Sequence, residues 1–196
     1  LFFYKRVIDP KMKTVAQIHV MLTEVIHRIC RHYFASKIDL CITPSKVGLK
    51  IDWQDSDKNK IKCIYKGIQY STIYIRNYYD KKHIINIFFI GSICRLKRPD
   101  IFIDVLNILN ELSSITFNGY IIGPVLEKSC FEETEKKIKC AKNKGIIKYL
   151  GSIPHKKLLS DIYPNIDILF LSSDKDTLPT VILEAMSFGK VVVARN

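Results

Sequence analysis

No apolar run in the 196 residues approaches the roughly 18 that a helix needs to cross a bilayer, so no helical membrane span is expected. The opening LFFYKR lacks the basic start, long apolar stretch and small-residue cleavage site of a signal peptide. It also begins on Leu1 rather than Met, and the natural N-terminus is expected to lie upstream. No C-x-x-C pair occurs among Cys30, Cys41, Cys63, Cys94, Cys130 and Cys140. Most of these sit in apolar segments such as DLCIT and IKCIY, which favours reduced, buried thiols over disulfides and suits a cytoplasmic protein. There is no internal repeat and no low-complexity tract. The G-x-G-x-x-G fingerprint is missing too, which counts against a dinucleotide-dependent oxidoreductase. Acidic residues are scarce in one half only: residues 1 to 98 hold 19 Lys+Arg against 7 Asp+Glu, and residues 99 to 196 hold 12 against 12.

What is present is ordinary for a soluble globular chain: 47% apolar, 26% charged and 11% aromatic residues, enough to build a core. The whole net charge of +12 comes from the first half. Such a half can attract phosphate-bearing ligands, anionic headgroups or nucleic acid. A Lys-, Ile- and Asn-rich composition set by codon bias would leave the same imprint. The Lys and Arg residues are dispersed and no nucleic-acid-binding motif appears, so no nucleic-acid partner is expected.

From residue 86 short apolar runs alternate with segments of helical spacing. Strands are expected at 86 to 91, 119 to 123, 146 to 151, 167 to 173 and 191 to 195. Helices are expected at 98 to 112, 127 to 143, 155 to 163 and 180 to 188. In the first of these helices Ile101, Val105, Ile108 and Leu112 share one face. Strands that are apolar throughout and joined by helices form a parallel sheet covered on both sides, the doubly wound α/β class. Ligands of such sheets bind beyond the carboxyl ends of the strands, here the loops after Gly91, Gly123, Gly151 and Ser173. Strands at 14 to 18, 39 to 43 and 61 to 65 suggest the tail of another α/β domain. The polar run at 52 to 60 reads as a surface turn or helix end, and 76 to 83 as an interdomain linker. The division expected is 1 to 80 and 81 to 196.

The most specific segment is DILFLSSDKDTLPTVILEAMSFGKVVVA, residues 167 to 194. A strand ends in two serines, and Asp176 stands eight positions before Glu184, which is placed at the start of a helix closed by Gly189. A loop leading into a helix N-terminus offers unpaired N–H groups and a positive dipole end, which suit a diphosphate. Carboxylates beside it can accept hydrogen bonds from sugar hydroxyls. Taken alone, Glu184 could equally be an acid complementing the helix dipole, and Lys97 and Arg98 a solvated helix start. Two D-x-D triplets, Asp55/Asp57 and Asp174/Asp176, raise metal binding as an alternative. The first lacks an apolar strand leading into it, and the second is better read as part of the acid pair.

This segment resembles the family 4, group 1 glycosyltransferases, whose signature is two glutamates separated by seven residues within EGxPxxxLEAMAxGxPVVA. Glu184, Ala185, Met186, Gly189 and the VVVA strand match, and Asp176 stands for the first Glu, one methylene shorter. The segment FFIGSICRLKRPDIFIDVL, residues 88 to 106, resembles the family's VGRLxxxKRPDLLIEAL. GYIIGPVLEKS resembles its xxIVGxGP turn, and the likeness spans residues 83 to 196. It reaches weakly into DLCITPSKVGLKI and IKCIYKGIQYS, where Lys66 replaces an Asn.

The resemblance implies a GT-B architecture of two Rossmann-like domains, the first truncated and the second lacking its C-terminal end. It implies that Asp176 contacts the transferred hexose and that Glu184 binds the nucleoside ribose. Lys97 would grip the diphosphate. Ser92 stands where an Arg is usual, with Arg95 or Arg98 as another source of a guanidinium. Gly91, Gly123, Gly151, Ile153, Leu178, Pro179 and Thr180 would line the donor pocket. His19, in TVAQIHV, would face the reacting sugar, although a His in an apolar stretch is more often core. His155 is expected to open a helix in solvent. The implied reaction moves a hexose from a nucleoside diphosphate sugar to a glycan or lipid-linked saccharide with retention, with no cofactor and no obligatory metal. Peripheral membrane contact through the basic half is expected at the inner face. A catalytically inactive nucleotide-sugar-binding subunit and a basic nucleic-acid-binding α/β protein are the alternatives.

Overall fold

The computed structural model describes residues 15–17, 39–46, 58–68, 84–141, 145–176 and 178–195. The chain divides into two compact units, Leu1–Gly67 with Asp176–Leu178, and Ile68–Lys175 with Pro179–Asn196. The first contains β1 (Val15–Gln17), β2 (Leu40–Thr43) and β3 (Ile61–Cys63), paired in parallel in that order. These are the three strands expected from the sequence, and a 3-10 turn at Lys58–Lys60 ends the polar run. Asp55, Asp57 and the proposed linker lie outside the described residues.

The second unit is a five-stranded parallel sheet of β4 (Ile84–Ile90), β5 (Thr116–Ile122), β6 (Ile147–Tyr149), β7 (Ile168–Leu171) and β8 (Val191–Ala194). Its order is β6-β5-β4-β7-β8, so the chain steps outward to one edge, returns to the middle and steps out the other way. The reversal between β4 and β7 makes their carboxyl ends the crevice of a doubly wound sheet. The helices are α1 (Pro99–Leu112), α2 (Lys128–Cys140), α3 (His155–Lys157) and α4 (Thr180–Ser187).

Burial on both faces explains why the central strand β4 reads as an apolar run, whereas the edge strands β6 and β8 are less covered. Along β4, Ile87 and Phe89 enter one core with Phe102, Leu106 and Ile121, while Phe88 and Ile90 enter the other with Leu169, Ala185 and Phe188. Each such side chain withdrawn from water contributes about 1.5–3 kcal/mol before ordering costs. Helix α1 buries Phe102, Ile103, Leu106 and Asn110, not the stripe read from the sequence. Ile108 and Leu112 of that stripe are exposed. Both stripes fit the helical period, and Phe102 decides between them because its ring packs 5.8 Å from Phe89 and 5.9 Å from Phe170.

Strand β5 begins three residues earlier than its apolar run. Asn118 donates to Asn86 Oδ1 at 3.3 Å, and buried Asn110 satisfies both Phe117 N (2.8 Å) and Phe117 O (2.9 Å). The expected helix at 155 to 163 is composite: α3, a π turn at Leu158–Ile162, then a 3-10 turn at Tyr163–Asn165. Pro164 has no N–H to continue an α ladder. Cys94 and Cys130 are buried free thiols, whereas Cys140, also free, is exposed, against expectation. Among the described residues no helix is long and apolar enough to cross a membrane.

Candidate functional site

The carboxyl ends of β4, β5 and β6 are laced by backbone hydrogen bonds into one rim. Gly91 N donates to Ile122 O (2.9 Å), Ile93 N to Pro124 O (2.8 Å) and Gly123 N to Gly151 O (3.0 Å), while Tyr149 Oη donates to Gly123 O at 2.7 Å. Gly123 is needed for this approach. Its φ is +151°, and a Cβ there would lie 2.0 Å from Gly91 O. The absence of a side chain at Gly123 is what admits the neighbouring strand's backbone.

The loop after β4 carries Gly91 and half-buried Ser92, then turns through a 3-10 segment at Arg95–Lys97 into α1. It is tied across the topological reversal to the end of β7, with Ser172 Oγ donating to Lys97 O (2.9 Å) and Asp174 N to Leu96 O (2.9 Å). Lys97, half-buried, thus stands at the crevice by virtue of two backbone anchors. Arg98, the one non-glycine residue with positive φ among those described (51°), is engaged in holding the turn. Its guanidinium donates to Asp100 at 2.8–3.2 Å and lies 3.6 Å from Asp174, which also pairs with Arg195. The hydrogen bonds from Arg98 hold the Asp100 carboxyl below the usual range, against its partial burial. Arg95 is exposed, with its guanidinium 3.8 Å from Glu133. Ser173, at the end of β7, is buried, and its Oγ has no hydrogen-bond partner.

Helix α4 starts after Pro179, with no side chain capping Thr180 and no acid in its first turn. Glu184 is its fifth residue rather than a first-turn acid, so the dipole reading does not apply. Its side chain is only 12% exposed. One carboxylate oxygen, Oε2, accepts from Tyr163 Oη at 2.5 Å, and the other, Oε1, lies 2.9 Å from His155 Nε2. Burial, reinforced by Glu184, pushes the Tyr163 phenol far above its ordinary range, so it stays a donor. The Tyr163 ring stacks on Phe188 at 5.3 Å, and Lys190 Nζ donates to Pro164 O at 2.8 Å.

His155 does open α3, as expected, but it is also paired with Glu184 rather than solvated alone. Tyr163 is not among the residues that the acid spacing singles out; its signal in the sequence is that a tyrosine inside a helix between apolar strands needs a partner for its hydroxyl. Ile153 packs against the same core as Tyr163. Asp176 and Leu178, both half-buried, belong with the first unit and Glu184 with the second. His19 lies outside the described residues.

Residues 76–196, more than half of the chain, match the family model for glycosyl transferases group 1. The chain belongs to the group 1 glycosyltransferases. No curated protein matches it significantly in sequence. Its fold is that of the GT-B members among solved structures. It is similar to Anabaena HepE in complex with UDP-glucose, at 19% identity and a TM-score of 0.80, covering 98% of this chain and 55% of that one. It is similar to Staphylococcus aureus TarM in complex with fondaparinux, alpha-GlcNAc-glycerol and UDP, at 16% identity and a TM-score of 0.74, covering 93% and 36%. It is also similar to WaaG, a glycosyltransferase involved in lipopolysaccharide biosynthesis, at 16% identity and a TM-score of 0.67, covering 94% and 57%. This group 1 glycosyltransferase chain thus spans between about a third and three fifths of these relatives' lengths.

Proposed function

We propose that the intact protein transfers a hexose, with retention, from a nucleoside diphosphate sugar to a glycan or lipid-linked saccharide acceptor. The observation that carries this reading is the buried Glu184 carboxylate, held in α4 inside the family-matched segment, with an acceptor position left on each oxygen. Two such positions suit the adjacent hydroxyls of a ribose. Lys97, anchored at the reversal of strand order, is the cation for the diphosphate, and the uncapped start of α4 adds N–H donors. These groups would stabilise the charge that develops on the leaving nucleoside diphosphate as the glycosidic bond breaks. Asp176 is assigned to the hexose and His19 to the acceptor side, as the family resemblance implies. No metal or cofactor enters the scheme, and the basic first half is assigned to peripheral membrane contact. The relatives seen with UDP-glucose or UDP support a nucleotide-sugar donor.

The test is release of nucleoside diphosphate by the full-length protein across a panel of UDP-, GDP- and ADP-sugars. One donor should be consumed, with Asp176→Ala lowering turnover at least about a hundredfold, the scale of removing one transition-state contact. Donor binding without turnover would instead identify an inactive binding subunit, and no binding to any donor would refute the assignment.

A further inference from the structure

Glu184 does not stand free for a ligand; it is gripped by two side chains of the 155–163 segment. Tyr163, fully buried, takes one oxygen at 2.5 Å, and His155, with 63% of its side chain exposed, takes the other at 2.9 Å. A carboxylate oxygen only accepts, so His155 Nε2 is the donor in its pair. Each oxygen offers two lone-pair positions, and one on each is occupied. What remains is one acceptor position per oxygen, with the carboxylate plane fixed by two donors from different turns.

We propose that Tyr163 and His155 are positioning residues for the donor: together they orient the Glu184 carboxylate so that both open acceptor positions meet the 2′- and 3′-hydroxyls of the nucleoside. This rests on the ribose reading of Glu184 given above. The scaffold suits the task. Phe188, immediately beyond α4, stacks on the Tyr163 ring at an interplanar angle of 12°, and Lys190 Nζ donates to Pro164 O, so the phenol is tied by two contacts to the end of the helix bearing Glu184. His155 follows by two residues Ile153, which the family resemblance places in the donor pocket, so the segment that orients the acid is continuous with that pocket's wall. A carboxylate fixed before ligand arrives loses less side-chain freedom on binding than a mobile one, and that difference appears as affinity.

The experiment titrates UDP, ADP and GDP, each beside its 2′,3′-dideoxy counterpart, into the full-length protein and its variants. Wild type should prefer the ribo form of the nucleotide it binds by about tenfold or more, and Glu184→Ala should abolish the preference. Tyr163→Phe should cut the preference about fivefold or more while leaving dideoxynucleotide affinity unchanged. His155→Ala should also cut it, and His155→Gln, which keeps a donor, should restore most of it. The His155 pair, at an exposed position, decides the matter if Tyr163→Phe fails to fold. No ribose preference in wild type, or a preference that survives Glu184→Ala, overturns the ribose reading and the proposal with it. Loss in Glu184→Ala but full preference in Tyr163→Phe and His155→Ala leaves the ribose reading standing and overturns the positioning role. Equal weakening of ribo and dideoxy forms marks a merely structural role and also overturns it.

Discussion

Replacing three glycines of the rim by alanine should destabilise the protein in a fixed order, because each carries a different part of the same penalty. At Gly91 the backbone φ is not positive, and a Cβ would meet only the Phe89 ring, at 3.8 Å, which is ordinary contact. Gly91→Ala should change stability by less than about 1 kcal/mol. Gly151 has φ +77° with nothing within 4 Å of an added Cβ, so only the dihedral is at stake. Its cost should be about 1–2 kcal/mol. Gly123 combines φ +151° with a Cβ 2.0 Å from the carbonyl oxygen of Gly91. That oxygen cannot retreat freely, since Gly91 N is bonded to Ile122 O and Ile93 N to Pro124 O within the same ladder. Backbone strain of about 1–3 kcal/mol and overpacking of about 1–3 kcal/mol together give roughly 2–6 kcal/mol. The assay is urea denaturation of the full-length variants, read by a probe in the second unit, with equal m-values as a control. A Gly123→Ala variant as stable as Gly91→Ala would refute the reasoning, because it would mean that β4 and β5 are not closely apposed at their carboxyl ends.

Other outcomes follow from single contacts. Phe102→Ala should cost about 3–5 kcal/mol by the same assay, since the ring is fully buried between Phe89 and Phe170. Asn110→Ala should cost about 2–4 kcal/mol by leaving the buried Phe117 N–H without its side-chain acceptor and the Phe117 and Leu106 carbonyls without the amide donor, and Asn110→Asp, which restores only an acceptor, should not rescue it. Asp100 is held below the ordinary carboxylate range by Arg98, so its contribution exists above an unfolded value of about 3.9 and is lost as pH falls through the lower folded value. The stability gap between wild type and Asp100→Asn should therefore be larger at pH 7 than at pH 2.5, and an equal gap at both would contradict the pairing.

The alternation of apolar runs with helical spacing is enough to read the second unit's sheet, because the carboxyl-terminal halves of β4 and β5 and all of β7 and β8 are apolar and successive runs are separated by turns or segments of helical period. It is less informative where polar residues serve the backbone. Asn86 and Asn118 pair with each other inside the sheet, and Asn110 satisfies Phe117, so β5 starts three residues before the apolar run that marks it in the sequence. In α1 two apolar stripes fit the same period, and only tertiary contact with Phe89 and Phe170 selects one.

At the site, the spacing of acids singled out Glu184 but not its surroundings. Nothing local tells a reader that Tyr163 and His155, some twenty and thirty residues earlier, converge on one carboxylate, since that convergence depends on how the π turn and the 3-10 turn deliver Tyr163. The role of Arg98 was equally hidden. A basic residue before Pro99 reads as a solvated helix start, whereas its partners Asp100 and Asp174 show it bracing the loop that carries Lys97.

The most direct measurement is a crystal structure of the full-length protein with the nucleoside diphosphate it binds. The account predicts the ribose hydroxyls within about 3 Å of Glu184 Oε1 and Oε2, Tyr163 and His155 still bonded to the same carboxylate, and the diphosphate beside Lys97 and the start of α4. A nucleotide lodged elsewhere, or a ribose turned away from Glu184, would contradict it.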